Sequence, residues 1–276
     1  MGKISAELKA KFAEKTAQIK EKIEELNNEI KKLEIEISKG APLSEYKKLN
    51  IANLYMNIIL LYVKMNDLSL DILGIKNESY LEKARKLCYK FLSELESLVT
   101  PYIDISLTEN KEQLAKISKL DDLKRLKLIK KIAEVIRIVE ERFGPNSKWK
   151  WSFIDLDARA AAVCKNLIDY KKIQEEMDPR IEGFAERMDT IRFIKTYLRR
   201  VADRLREKYE LSTHDPLEMK TAIKFLSALM RIETIFKEGD EANNLKKNIK
   251  IWEEKLEQDL KAAEEKKEKI AKAKKR

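Results

Sequence analysis

The stretch FAEKTAQIKEKIEELNNEIKKLEIEISKG, residues 12–40, carries the pattern that decides the fold. Its apolar positions recur at alternating steps of four and three residues, the 3.5-residue period of a helix with one continuous seam. Gly40 and Pro42 end this pattern, because glycine favours the turn after a helix and proline cannot continue one. The sequence therefore predicts a first helix from about Ile4 to Lys39. The positions of this period are Phe12, Thr16, Ile19, Ile23, Leu26, Ile30, Leu33 and Ile37.

This seam resembles that of a coiled coil, with isoleucine at one seam position and mostly leucine at the other, an arrangement that approaches the one favouring two strands. Its partner could be another copy of the chain, another protein, or a helix of the same chain folded back after Gly40. We interpret the seam as a protein-interaction surface. Its members are Phe12, Ile19, Ile23, Leu26, Ile30, Leu33 and Ile37.

The composition extends this helical interpretation to the whole chain. The 276 residues include six glycines and five prolines, while 38% are Asp, Glu, Lys or Arg. A β-rich or α/β domain of this length needs more turn residues, so the sequence predicts an all-α fold of about eight or nine helices. The predicted organisation is two bundles, residues 1–143 and 144–276, or one continuous domain, with long terminal helices that are partly coiled coil.

Capping residues and helix-ending residues place the other predicted helices. The buried second helix is predicted from Ser44 to about Met65, followed by MNDLSLDILGIKN, residues 65–77, as a loop with a short turn. Aspartate followed by proline is a typical helix start. A third helix is predicted from about 79 to 99, then short helix with irregular connections over 102–119 and a helix over 121–143. The remaining predicted helices are 153–177, capped by Ser152; 178–209; 215–237, ending at Gly239; and one from 240 onward.

The residues that usually perform catalysis or bind cofactors are scarce. One histidine and two cysteines cannot supply the ligands of a di-iron site or a structural zinc site, and every glycine is isolated, which excludes a glycine-rich phosphate loop. His214 precedes the capping Asp215, and we interpret it as a solvated loop residue rather than a general base. The sequence therefore predicts no enzyme activity, no catalytic residues, no metal site and no cofactor.

The cysteines and the chain start bear on localisation. Cys88 and Cys164 each have apolar neighbours at helical spacing, which predicts buried thiols in a reducing compartment. The first residues, MGKISAELKAKF, turn charged where a signal peptide would be apolar. The most apolar stretch, 49–63, is shorter than the ~20 residues that cross a bilayer. We therefore expect a cytoplasmic protein without a transmembrane segment.

Two rows of basic residues could contact an anion or a nucleic acid. In the first, Lys124, Arg125, Lys127, Lys130 and Lys131 lie within eight residues, and Lys124, Lys127 and Lys131 share one helix face. In the second row, Arg192, Lys195, Arg199 and Arg206 recur at steps of three, four and seven. Cations along a rigid helix can follow phosphates, but neighbouring acidic residues make a solvated charged face the alternative.

Two tryptophans follow the helix end at Gly144 and Pro145. Trp149 and Trp151 alternate across Lys150, so their rings would face one side if the segment were extended. They could form an aromatic contact with a partner, since tryptophan is enriched at interface hot spots. Alternatively they fill the gap where two helices diverge.

The end of the chain is a charged helix with almost no apolar face. From Ala263 onward seven basic and three acidic side chains leave a charge of +4 in a chain of net charge +10. This tail is either an inert solvating extension or an electrostatic contact for an acidic partner or an anionic surface. The sequence as a whole predicts a non-enzymatic helical scaffold or structural subunit that acts through protein-protein contacts, including self-association. The alternative is a nucleic-acid-binding protein that uses its basic helix faces.

Overall fold

A computed structural model describes residues 5–274, except for the side chains of residues 107, 108 and 270–274. Within this range the chain forms ten α-helices, one π-helical turn and no strand, which confirms the all-α prediction. The elements are α1 (Ala6–Ser38), α2 (Ser44–Leu73), α3 (Glu78–Val99), α4 (Leu107–Ala115), α5 (Asp122–Phe143), α6 (Lys150–Asn166), α7 (Tyr170–Glu175), α8 (Phe184–Lys208), the π-helical turn (Tyr209–Thr213), α9 (Pro216–Ile235) and α10 (Gly239–Lys274).

The helices form two compact units. Unit 1 comprises the described parts of Met1–Pro101 and Leu107–Ile168, and contains α1 to α6. In it α2 packs against α1 and α3, while α5 and α6 pack against each other and against α3. Gly144, at the start of the second predicted bundle, lies inside unit 1 between α5 and α6.

Unit 2 comprises Tyr102–Ser106 and the described part of Asp169–Arg276. Its central helix is α9, which packs against α7, α8 and α10. The short segment 102–106 belongs to this unit, since Asp104 pairs with Lys224 at 3.1 Å and its carbonyl oxygen accepts a hydrogen bond from Arg231.

Several predicted helix ends are correct. Gly40 follows α1 with a positive φ of 73°, as expected, and the side chain of Ser5 caps the start of that helix. The predicted start at Ile4 lies outside the described residues. At α9, Asp215 accepts a hydrogen bond from the backbone of Leu217, and Pro216 occupies the first turn. The buried thiols of Cys88 and Cys164 are also confirmed, and burial raises the pKa of both.

Other predicted boundaries are wrong. Residues 66–73 are not a loop but the last two turns of α2, which ends before Gly74. Ser152 does not cap a helix, because α6 begins at Lys150, and the predicted helix 153–177 is divided into α6 and α7. Asp178 does not begin a helix either. Its carboxylate accepts a hydrogen bond from the backbone of Arg180, and α8 begins only after Gly183.

The predicted role of Gly239 is also wrong, because this glycine begins α10 instead of ending α9. Lys237, with a φ of 61°, takes the left-handed conformation in the turn between the two helices.

Candidate interaction surfaces

The seam of α1 lies against α2 within unit 1. Thr16, Ile19, Ile23, Leu26 and Ile30 are buried, and α1 packs mainly against α2. The remaining seam residues, Phe12, Leu33 and Ile37, are half-buried. Of the three partners that the pattern allows, the structure therefore places a helix of the same chain on most of the seam.

The two tryptophans lie at the start of α6 rather than in an extended segment, so the expected alternation of their rings does not apply. Both are half-buried. The guanidinium carbon of Arg85 lies 3.7 Å from the centre of the Trp149 ring, while Lys150 lies 4.8 Å from that of Trp151. Cation–π contacts of this kind fix the ring positions within unit 1.

The first basic row is divided between solvent and the protein. Lys124 is exposed and pairs with Asp121 at 2.8 Å, and Lys127 is exposed as well. The ammonium group of Lys131 instead donates to the amide oxygens of Asn53 (2.6 Å) and Asn57 (3.0 Å) on α2. Burial lowers the pKa of Lys131. This lysine therefore joins α5 to α2 rather than extending the exposed row.

The second basic row, on α8, is also divided between side chains that face solvent and side chains that contact the protein. Arg192 is exposed and lies 3.6 Å from Asp189, whereas Arg199 is half-buried. Lys195 pairs with Glu233 at 2.6 Å and with Glu238 at 2.7 Å. Burial lowers the pKa of Lys195, but its bonds to the two carboxylates outweigh this and raise the pKa overall.

Arg206, the last member of the second row, also has partners within unit 2. It donates to Glu210 at 2.9 Å, and its guanidinium carbon lies 5.1 Å from the centre of the Trp252 ring. Lys195 and Arg206 therefore have partners within unit 2, and Arg192 is the most solvent-accessible cation of the four, since 71% of its side chain is exposed.

His214 lies beside a cavity that sequence reasoning did not predict. The residue is exposed, has a φ of 50°, and its ring lies edge-on to that of Tyr209 with centres 6.2 Å apart. The cavity has a volume of about 510 Å³ and includes Tyr209, Lys255 and Asp259 in its lining. The carboxylate of Asp259 accepts hydrogen bonds from the Tyr209 hydroxyl and from Lys255, both at 2.8 Å. Among the described residues no group of three or more His, Cys, Asp or Glu side chains could hold a metal ion.

The C-terminal helix extends beyond its packed part. Leu245, Trp252 and Leu256 of α10 are buried in unit 2. After Leu256, Asp259 is half-buried, and residues 260–269 are all exposed. Since α10 continues to Lys274, the helix runs for about 27 Å beyond Leu256 at 1.5 Å per residue, and Leu260, Ala262 and Ala263 at its near end line the cavity beside Tyr209. Lys275 and Arg276, the last cations of the predicted tail, lie outside the described residues.

These features define a class of all-α protein with helical packing and charged, exposed helix surfaces. No helix in the described part of the chain is long and apolar enough to cross a membrane. The model of the TP0443 family matches residues 8–260, and the chain belongs to this family. The family description names neither an activity nor a partner.

Comparison with individual proteins adds little to this assignment. No curated protein matches the chain. Among solved structures, a chain described as "Computational Design of Self-Assembling Cyclic Protein Homooligomers" is 16% identical to this one, and the match covers 94% of this chain and 99% of the other. The TM-score is 0.29, which is too low to relate the fold or the assembly of the two proteins.

Proposed function

We propose that the protein is a non-enzymatic helical scaffold that binds another protein through the exposed part of α10. The observation that carries this proposal is the run of exposed residues 260–269 on a helix that continues to Lys274. Contact with a partner would bury this exposed part of the helix, and the surplus of basic side chains from Ala263 onward, seven against three acidic ones, favours an acidic surface.

Ion pairs along α10 support a helix that stays formed before a partner binds. Lys261 pairs with Glu257 at 2.6 Å, and Lys255 pairs with Asp259 at 2.8 Å. Pairs at this four-residue spacing stabilise a helix by about 0.2–0.5 kcal/mol each. A preformed helix loses less conformational entropy on binding, so it is a better docking element than a disordered tail.

The test compares three forms of the protein in native cell extract. These are the full chain, a chain ending at Leu260, and the full-length triple variant Lys266→Glu, Lys267→Glu and Lys269→Glu. We expect one set of proteins to be enriched by the full chain and lost with both altered forms. The chain ending at Leu260 lacks the exposed end of α10, and the triple variant reverses the charge of that end. Binding to the full chain should also weaken as salt is added.

The matched control places the same charge change in the packed part of α10, at Lys246, Lys247 and Lys250, which are exposed. This control should retain the partner. Retention of every partner by the chain ending at Leu260 would contradict the proposal. Light scattering of the full chain and the shortened chain will show whether the partner is a second copy, because only the full chain would then dimerise.

The alternative function, nucleic-acid binding, rests on the cations of the two rows that remain exposed, Lys124, Lys127, Lys130 and Arg192. It is favoured less, because Lys131, Lys195 and Arg206 have partners within the protein. Nuclease treatment of the extract separates the two proposals. Loss of the captured set after nuclease treatment, together with retardation of an oligonucleotide at low salt, would replace the scaffold with the nucleic-acid alternative.

A further inference from the structure

Buried charged side chains in the described part of the chain have partners, with one exception. Those with a partner are Arg85, Asp157, Lys165, Arg187 and Glu233. Arg187, for example, lies 2.6 Å from a carboxylate oxygen of Glu176. The exception is Arg125, for which no described residue supplies an ion pair or a side-chain hydrogen bond.

Arg125 lies in the first turns of α5 and is only 8% exposed. Its Nε atom is enclosed and has no acceptor among the described residues. Ile129 and Ile132, four and seven residues further along α5, are fully buried, so Arg125 lies on the face of the helix that forms the core. Sequence reasoning grouped it with the surface lysines, although this spacing could have placed it on the apolar face.

A largely buried arginine with an enclosed Nε and no counter-charge is unfavourable, and it cannot relieve the cost by losing its proton. Nearby groups add positive charge, although the carboxylate of Asp122 lies in the same first turn of α5. Lys124 and Lys127 lie on the same turns, and the N-terminus of α5 adds the partial positive charge of its backbone N–H groups. The carboxylate of Asp121 is already used, since it pairs with Lys124 and accepts a hydrogen bond from the Lys124 backbone.

We propose that Arg125 is the centre of a binding site for a small oxyanion, either a carboxylate or inorganic phosphate. Both anions present two oxygen atoms at the spacing that the guanidinium group binds through parallel hydrogen bonds. The low exposure of Arg125 restricts the ligand to a small anion, because the backbone of a nucleic acid requires an open, continuous basic surface. This site is independent of the function proposed for α10.

The test measures the melting temperature of the full chain in sodium chloride, sodium phosphate and sodium acetate at the same pH and ionic strength. We expect phosphate or acetate to raise it by about 2–4 °C relative to chloride, since a ligand that binds only the folded state stabilises it. The anion with the larger effect identifies the ligand, and calorimetric titration with that anion gives its affinity.

Two variants assign the effect to Arg125. Arg125→Met should fold and lose the anion-dependent rise, because an apolar side chain of similar length replaces a buried charge without leaving a partner unpaired. Lys127→Met, at an exposed position one turn away, should retain the rise. If Arg125→Met fails to fold, Arg125→Lys serves instead, and it should show a smaller rise because lysine lacks the planar fork.

Three results would overturn the site. The first is that neither anion raises the melting temperature of the wild-type chain. The second is that the melting temperature of Arg125→Met rises as much as that of the wild type, and the third, where Arg125→Lys is used, is an undiminished rise in that variant. An oligonucleotide that raises the melting temperature when neither free anion does so would also overturn it, in favour of a nucleic-acid contact.

Discussion

Tyr209 joins two elements of unit 2 through one hydroxyl group. Its ring is buried at the start of the π-helical turn, while its hydroxyl donates to Asp259 near the end of the packed part of α10. Burial, together with the neighbouring carboxylate, raises the pKa of Tyr209 to about 12. Burial likewise raises the pKa of Tyr55 in unit 1 to about 12, with Glu34 nearby.

We expect these two tyrosines to make the protein sensitive to alkaline pH. An ordinary tyrosine has a pKa of about 10, so the fold favours the protonated form of both groups. Their contribution to stability should therefore be fully present below about pH 10 and be lost as the pH rises through 12. Titration by ultraviolet absorbance should show a late phase, and that phase should become smaller in Tyr209→Phe and in Tyr55→Phe.

At neutral pH, Tyr209→Phe should lower the free energy of unfolding by about 0.5–1.5 kcal/mol, because one hydrogen bond is lost while Asp259 keeps its pair with Lys255. Ionisation of all nine tyrosines in one step near pH 10 in the folded chain would contradict the assignment of the late phase.

At the scale of elements, the contact between α1 and α2 turns the heptad pattern into core packing. Ile23 and Ile30 are buried against α2, whereas Ile35 of the same helix is 52% exposed. The double variant Ile23→Asp and Ile30→Asp should lower the free energy of unfolding by at least about 3 kcal/mol, since two charges without partners enter the core. Urea unfolding followed by circular dichroism measures this loss.

Ile35→Asp is the control for the seam, because it places the same charge on the exposed side of α1. It should change the free energy of unfolding by no more than about 0.5 kcal/mol. The assignment of the seam to intrachain packing fails if the double variant is as stable as the control. A loss that depends on protein concentration would instead indicate that the seam also holds a second copy.

Local start and end signals predicted some helix ends and failed at others. Asp215 and Pro216 mark the start of α9, but the same pair of residue types, Asp178 and Pro179, begins no helix, because α8 starts only after Gly183. The last turns of α2 contain Asn66 and Ser69, which resemble loop residues but bond to the segment that follows. Asn66 accepts a hydrogen bond from the backbone of Asn77, and Ser69 donates to the carbonyl oxygen of Ile75. Their polar groups thus support the turn after the helix.

The candidate surfaces also depend on contacts between distant residues, which the sequence does not show. The sequence groups Lys131 with Lys124 and Lys127 on one face of α5, but it does not reveal that Asn53 and Asn57 of α2 bind its ammonium group. The similar use of Ser152 was also missed, since its hydroxyl bonds to Arg85 and Tyr89 instead of capping α6. These contacts join residues more than 60 positions apart, so helical periodicity carries no signal for them.

At the scale of the whole molecule, the two units place their long helices differently. In unit 1 the seam of α1 is largely covered by α2, while in unit 2 the end of α10 extends past the helices that cover its packed part. The protein-binding proposal therefore depends on α10 rather than on the heptad pattern that first suggested it. Scaffold function, cytoplasmic location and self-association stay predictions.

The boundary between the packed and exposed parts of α10 leads to a prediction for two shortened chains. A chain ending at Leu260 loses residues whose described side chains, 261–269, are exposed, including Ala262 and Ala263 at the rim of the cavity beside Tyr209. It also loses the surface pair of Lys261 and Glu257, which is worth about 0–1 kcal/mol. Its melting temperature should stay within about 2 °C of the full chain. Differential scanning calorimetry provides the measurement.

A chain ending at Lys255 is the matched comparison, because it also loses buried Leu256 and the bond from Tyr209 to Asp259. Removal of a buried leucine costs about 2–4 kcal/mol, so this chain should melt about 5–15 °C lower. A similar decrease in the chain ending at Leu260 would mean that residues 261–276 pack against the protein or against a second copy. Dependence of the decrease on protein concentration would then favour the second copy, since only association between chains changes with concentration.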